Sequence, residues 1–323
     1  MKRLLNVLGG VLLILVVTVV GVYVWASVKS SRTMARTIQT HTVDFPIPFP
    51  LPEEERVALG LTEAEALAVA TERAVERARH LIDARYGCTE CHGGNFSGGV
   101  MMDVAPVARL FGPNLTEGRG SRTLGFGPAD WDRIVRHGVR ADGHPAAMPS
   151  EDFQRMSDRE LSDIVTYIRA QPAVDNEMPP VVLGPMGKVL LATGKLRLSA
   201  DVIASHDVEH PSVPPPAEVS IEFGRHLAGV CTGCHGEDLA GGPIVGGDPN
   251  WPPARNLTPH DQGLGRWSYE QFVTAMREGR RADGTELREP MASVVPVGRR
   301  MTDVELEALW TYLRSLTPLP SRQ

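Results

Sequence analysis

"CTECHGG", Cys88–Gly94, returns 143 residues later as "CTGCHGE", Cys231–Glu237. The two stretches use all four cysteines of the 323-residue chain. In each, two thiols stand three positions apart and an imidazole follows at once. The repetition spreads outward from there. "SGG" at 97–99 is answered by "AGG" at 240–242, "NLT" at 114–116 returns at 256–258, and "RADG" at 140–143 returns at 281–284. Further on, "RMSDREL" at 155–161 matches "RMTDVEL" at 300–306, and "TYIR" at 166–169 matches "TYLR" at 311–314. An offset that stays between 141 and 145 over so many short matches is the mark of a tandem duplication, here of a unit of about 100 residues.

Each copy reads as a small all-α unit. Thr62 and Glu65 form a capping box that opens a helix over 62–85. A second helix is expected at about 128–138, with its counterpart at about 268–279. Ser157 with Glu160, and Thr302 with Glu305, cap the closing helices. Met156 and Met301 stand just before those caps, opposite Leu161 and Leu306, as hydrophobic staples. The implied divisions are an apolar segment at 1–26, a Pro-rich tether or strap at 27–61, one repeat at 62–172, a connector at 173–216, the second repeat at 217–318 and a tail at 319–323. "FPIPFPLP" (45–52) forbids helix, and its large apolar residues favour a strap laid on a domain. "MGKVLLATGKLRL" in the connector is expected to make one short helix.

Cys-x-x-Cys-His is the attachment pattern of c-type haem. The spacing puts both thiols on one side of a helical turn, where they form thioethers with one macrocycle edge, and the next residue offers its imidazole to the iron. Cys88, Cys91, Cys231 and Cys234 would hold two such haems, with His92 and His235 as iron ligands. A zinc ribbon would need its two cysteine pairs in one unit, and a redox dithiol would need a thioredoxin-like βαβ pattern; the sequence shows neither. The glycines after the histidines, Gly93 and Gly236, are read as room for the porphyrin. For the sixth iron position, Met148 and Met291 each lie 56 residues after the histidine of their copy (92 to 148, 235 to 291), in proline-marked loops. Methionine there gives a high-potential, electron-transferring site. His144 is the rival in the first copy, where Thr285 stands in the second; Met101 and Met102 have no counterpart.

Both copies resemble class I cytochrome c. More narrowly, they are similar to the haem domains of cytochrome subunits of membrane-bound sugar and alcohol dehydrogenases. The resemblance covers most of 62–172 and 217–318, and is carried by "NLTPHDQGLGRWSYEQFVTAMREGRRADG" (256–284), Met291 and "MTDVELEALWTYLRSL" (301–316). It implies an all-α chain with an N-terminal transmembrane helix and two tandem cytochrome c domains. It also implies that Asn256 and Trp267, with Asn114 in the first copy, line the propionate edge of the haem. The sequence departs from that family in having two haem motifs where three are usual, and Met-Ala where the loop usually reads Met-Pro.

From Leu4 to Ala26 the chain carries no charge, long enough to span a bilayer core of about 30 Å. Val24-Trp25-Ala26 lacks the small-x-small cleavage pattern, which favours a retained, single-pass anchor in membrane lipid. The net charge of −6 leaves about −8 on the rest of the chain once Lys2 and Arg3 are set aside, which argues against nucleic acid and towards basic protein partners. In the family, c-type haem is attached outside the cytoplasmic membrane, which implies haem domains on the periplasmic side. The expected function is single-electron transfer in a respiratory or photosynthetic chain, alone or as a subunit, and not catalysis. The donor would be a quinol-oxidising complex or a dehydrogenase; the acceptor an oxidase, a reductase or a photosynthetic centre. The competing expectation is a dihaem peroxidase, which needs one open iron position.

Overall fold

The apolar run at the N-terminus forms one long helix, α1 (Lys2–Ala35), which continues nine residues past the run itself. It is long and apolar enough to cross a membrane. The computed structural model describes residues 2–322 apart from 245, 246, 248 and 249. Only the end of α1 touches the rest of the chain: Ala26 and Ser30 are buried there, and the helix packs on α7 (Pro185–Ala192), the short helix expected in the connector.

Residues 36–52 lie across the first repeat as a strap. Phe45 enters its core, with Val43, Ile47 and Phe49 packed alongside, and Ser162 Oγ donates to the Pro46 carbonyl at 2.7 Å. A short helix, α2 (Glu53–Ala58), then leads to α3 (Glu63–Leu81). The Thr62–Glu65 box is formed at its start. A wider π turn over Ile82–Tyr86 delivers the chain to α4 (Cys88–His92), which holds the first motif. The first repeat goes on through α5 (Pro128–His137) and α6 (Asp158–Arg169). The connector adds α7 and α8 (Ser199–Val202). The second repeat contains α9 (Ile221–Leu227), α10 (Thr232–His235), α11 (Tyr269–Glu278), α12 (Val295–Arg300) and α13 (Asp303–Ser315).

An all-α description is only approximate. The first repeat carries a hairpin, β1 (Gly99–Val104) and β2 (Ala108–Gly112), extended by β3 (Val182–Leu183) into an antiparallel sheet of order β1-β2-β3. Val100, Met102 and Val104 pair across to Phe111, Leu110 and Ala108, with Pro106 in the turn, where its missing N–H costs no ladder bond.

In each copy the opening helix packs on the closing one, α3 on α6 and α9 on α13. On α3 the contact is made by buried alanines at 66, 70, 74 and 78, one per turn. In α9 it is made by Gly224, where a Cβ would overlap the Ala308 carbonyl oxygen and lie 2.6 Å from Tyr312 Cβ. Both staples are formed: Met156 and Leu161, and Met301 and Leu306, are buried.

The capping glutamates also join the two repeats. Glu160 Oε2 takes the N–H of Ser157 at 2.8 Å, and Glu305 Oε2 takes that of Thr302 at 2.8 Å. Their other oxygens meet at Arg85, between the repeats. Arg85 Nη1 donates to Glu160 Oε1 at 2.6 Å and Arg85 Nη2 to Glu305 Oε1 at 2.9 Å. His226 of the second repeat meets Glu160 at 2.9 Å, and His80 of the first meets Glu305 at 2.9 Å. Burial alone would raise both carboxyls. The bonds and charges of His226 and Arg85 outweigh it at Glu160, and His80, the Thr302 N–H and Arg85 do so at Glu305, holding each down to about 2. A carboxyl lowered from 4.5 contributes stability that is complete above its unfolded pKa and drains as the pH falls towards 2. The contact between repeats should therefore loosen between roughly pH 5 and pH 2. Arg85→Met, which strands two buried carboxylates, is expected to cost about 3–5 kcal/mol in guanidinium unfolding. Adding Glu160→Gln and Glu305→Gln should recover part of that loss; equal midpoints for the wild type and the single variant would refute this account.

Candidate haem sites

The two motifs face one cavity. It measures about 1280 Å³, is mainly apolar, and is lined by Cys88, Cys91, His92 and Met148 from the first copy and by Cys231, Cys234, His235 and Met291 from the second. That exceeds the ~300–1,000 Å³ usual for a single small-molecule site. The structure thus brings together all eight of the cysteine, histidine and methionine positions singled out by spacing.

The histidines are oriented by backbone carbonyls. His92 Nδ1 lies 3.1 Å from the Pro113 oxygen, and His235 Nδ1 lies 2.6 Å from the Arg255 oxygen. A carbonyl only accepts, so each Nδ1 carries the hydrogen and each Nε2 keeps its lone pair, which is how a metal-binding imidazole is usually fixed. Burial lowers the pKa of both rings, which favours the neutral form that can ligate. Burial pushes the Cys88 and Cys231 thiols up to about 12 and Cys234 to about 11. Thiolate chemistry is suppressed there, whereas an uncharged thioether suits the same apolar wall.

The loops carrying Met148 and Met291 sit at matching places. Met148 precedes a 3₁₀ turn over Ser150–Asp152, and Met291 begins one over Met291–Val294. The first of these turns packs on α10, and α12, which follows the second, packs on the π turn ahead of α4. Each methionine loop therefore supports the other copy's cysteine motif. Asp152 shows how close this contact is: a Cβ at Gly233 would strike its carboxylate. Burial, then the charge of Glu151, raises the Asp152 carboxyl to about 7.

Several sequence-based expectations find other places. Asn114, Asn256 and Trp267 are not among the cavity-lining residues. Asn114 Nδ2 donates to the Val174 carbonyl at 2.8 Å while its Oδ1 accepts from Thr116 N at 3.0 Å. Asn256 does the same with the Leu319 carbonyl at 2.7 Å and Thr258 N at 2.8 Å. Both carboxamides latch the chain that leaves each closing helix. Trp267 packs at the edge of the second core. His144 Nδ1 binds the Arg36 carbonyl at 3.0 Å and does not line the cavity. Gly93 and Gly236 adopt φ of 78° and 80° as helix caps, and a Cβ on Gly93 would meet the Gly98 carbonyl oxygen at 2.6 Å. A tight backbone turn, not space for the porphyrin, explains them.

Residues overlooked in the sequence include Trp131 and Arg122, which line the cavity beside the first motif. The indole nitrogen of Trp131 is buried with no partner, so it offers a hydrogen-bond donor to an acidic substituent of whatever fills the space. Between NLT and RADG the copies run at offsets of 142 and 141, where Arg122 meets Gly263 or Leu264 and Trp131 meets Phe272 at 141, so the repeat preserves neither residue, although Phe272 lines the cavity too. Met101 and Met178 also enter from the hairpin and the connector. Orienting carbonyls, neutral thiols, methionine loops and an unsatisfied donor together fit two haems.

Comparison with known families agrees. Residues 73–168 match the model described as cytochrome c oxidase, cbb3-type, subunit III. Residues 221–317 match the cytochrome c model. The cytochrome c subunit of a quinone alcohol dehydrogenase from Gluconacetobacter polyoxogenes is 30% identical over 270 residues, covering 74% of this chain and 56% of that one. The fructose dehydrogenase cytochrome subunit of Gluconobacter japonicus is 26% identical, covering 73% and 51%. The gluconate 2-dehydrogenase cytochrome c subunit of Pantoea cypripedii is 26% identical, covering 76% and 60%. The chain thus spans little more than half the length of these relatives.

Replacing Cys88 and Cys91 together by alanine should halve the covalent haem measured as pyridine haemochrome, and replacing Cys231 and Cys234 should do the same. Met148→His or Met291→His should lower the midpoint potential of one haem only, because methionine ligation raises it. A potentiometric titration unchanged by either substitution would remove that methionine from the iron.

Proposed function

This chain carries two cytochrome c domains, which imply two covalently attached c-type haems, and on that premise we propose that it is the membrane-anchored electron-transfer subunit of a dehydrogenase complex. The observation that carries the proposal is the shared cavity: both motifs and both methionine loops open into one apolar space. When bound, haem would supply a one-electron couple.

The chain's own residues do the rest. Cys88, Cys91, Cys231 and Cys234 fix the cofactors by thioether bonds. His92 and His235 present Nε2 lone pairs, held by the Pro113 and Arg255 carbonyls. Met148 and Met291, which line the same cavity, would each offer a thioether sulfur to the iron. Trp131 Nε1–H and the Arg122 guanidinium hold acidic substituents in the first site. Apolar walls exclude water and limit reorganisation on charge transfer. The reciprocal docking of methionine loops on the opposite motifs keeps the two sites adjacent, so that charge crosses between them within protein.

The dehydrogenase partner is supported by the names of the relatives, and the anchor by α1. In this reading the N-terminus lies in the cytoplasm and the haem domains in the periplasm, where a quinol-oxidising complex or dehydrogenase donates. An oxidase, a reductase or a photosynthetic centre is the class of acceptor. The carrier role predicts that both haems titrate as one-electron couples, that both ferric haems show the methionine–iron charge-transfer band, and that peroxide is not turned over. A high-spin haem that consumes peroxide would instead identify a dihaem peroxidase. Affinity capture of the tagged chain from its native membrane should bring down a flavin- or quinone-dependent dehydrogenase; capture of an oxidase alone would make it a free carrier.

A further inference from the structure

Away from the haem cavity, four histidines and an aspartate from three distant segments are packed together. His41 comes from the strap, Asp132 and His137 from α5, and His206 and His210 from the connector. The Asp132 and His137 side chains are 1% and 0% exposed, and that of His210 is 6% exposed. One ligand atom from each of His41, Asp132, His137 and His210 lies within 4.8 Å of the others.

The hydrogen bonds around the cluster leave it short of hydrogens. His41 Nδ1 lies 3.0 Å from the His206 carbonyl, which only accepts, so Nδ1 carries the hydrogen. His41 Nε2 is then a bare lone pair, and it is buried with no partner. His206 Nε2 lies 3.2 Å from the Ala200 carbonyl, so in neutral His206 the bare nitrogen is Nδ1. His137 Nδ1, at 3.1 Å, must donate to it. His137 Nε2 is therefore a second bare lone pair, facing His210 Nε2 at 3.3 Å. Asp132 Oδ1 is occupied by Arg136 at 2.7 Å, whereas Asp132 Oδ2 is buried, unpartnered and 3.5 Å from His137 Nε2. Three acceptors thus converge on one place, and only His210 can offer a hydrogen. Among the described residues two arginines lie close: Arg136 is already bound by Asp132 and by Asp158 at 2.8 Å, and Arg36, whose charge reaches His206, is paired with Asp201.

We propose that His41, Asp132, His137 and His210 form a closed site for a divalent first-row transition-metal ion of the Zn²⁺ class. Three imidazoles and one carboxylate are a usual zinc donor set. With metal–nitrogen bonds of about 2.0–2.1 Å, the edge of a tetrahedron is about 3.3 Å, and the His137–His210 and His137–Asp132 separations of 3.3 and 3.5 Å already match it. His210 ligates in the tautomer that leaves Nε2 bare. The His206 carbonyl orients His41, and the His206 ring orients His137, as second partners of metal-bound histidines do. Four protein ligands leave no open position, so the ion is structural. It ties the strap and the connector to α5 and closes two long loops of chain with one group.

The test uses the full-length chain with both haems, in detergent, stripped with a chelator and titrated with Zn²⁺. One Zn²⁺ per chain is expected by elemental analysis, bound more tightly than about 1 μM as closed sites bind, with a higher unfolding temperature and a zinc-edge absorption spectrum fitted by three nitrogens and one oxygen. His41→Ala and His210→Ala should each lower that affinity by more than the about 10–100-fold typical of losing an outer-shell partner, while pyridine haemochrome still reports two haems. Failure of the stripped protein to take up stoichiometric Zn²⁺ overturns the site, leaving a proton-sharing imidazole network. Binding that survives in both variants overturns it equally, by placing the ion elsewhere.

Discussion

Arg85 is the constraint on which the arrangement of the two repeats depends. Its guanidinium lies between Glu160 and Glu305, each of which caps the closing helix of a different copy. A buried arginine between two buried carboxylates is not a large net source of stability, since desolvation offsets much of the Coulomb gain. Its effect is geometric. A planar fork of N–H groups accepts partners in few directions, so two carboxylates fixed by their own capping boxes can meet it in only one arrangement. His80 and His226 reinforce that arrangement from opposite sides.

From this docking follows the continuity of the haem cavity. Once the repeats are locked through their closing helices, the loop after Met148 meets α10 and the segment after Met291 meets the approach to α4. Neither cysteine motif is walled by its own repeat alone. Each site borrows part of its cover from the other, and Leu227 and Val230 of the second copy join Tyr86 and Phe153 of the first along the shared lining. Electron transfer between two centres needs proximity and little water, and both come from the same contact.

The repeated features were legible in the sequence because each rests on a local rule. Capping boxes, staples, the cysteine-histidine spacing and the offset of the methionines act over a few residues, or are announced twice, and the structure contains the boxes and staples and gathers the spaced residues in one cavity. The strap was readable from its prolines, which forbid helix, and from its large apolar residues. The hairpin 99–112 is hard to read because its alternation competes with two adjacent methionines, and because the second copy repeats only its closing pair among the described residues, Gly242 with Ala254. Asn114 and Asn256 were read through resemblance, yet an Asn two residues before a threonine is also a turn-forming residue whose side chain binds backbone. Arg85 and the histidine cluster left no local trace. Their meaning lies in contacts spanning 75, 220 and 165 residues, which no short-range pattern encodes.

The two copies are alike inside and unlike outside, and the difference has a physical direction. Every added segment gathers on the first repeat: α1 ends beside its cavity with Ser30, Ser31 and Met34 on the lining, the strap fills its core through Phe45, and the connector supplies β3 and two histidines. Among its described residues the second repeat has its own helices, short bridges such as Gly242 with Ala254, and a tail latched by Asn256. With α1 as the proposed anchor, any restraint from a membrane would act where that helix joins the chain, on the first repeat. Strap, sheet and histidine cluster all join segments distant in sequence there, which limits local opening more than extra contacts within one helix would. The second repeat is held to the first through the Arg85 network and the methionine loops, with further contacts from Arg155 to Glu237 at 3.1 Å and from Arg300 to the Asp83 carbonyl at 3.4 Å.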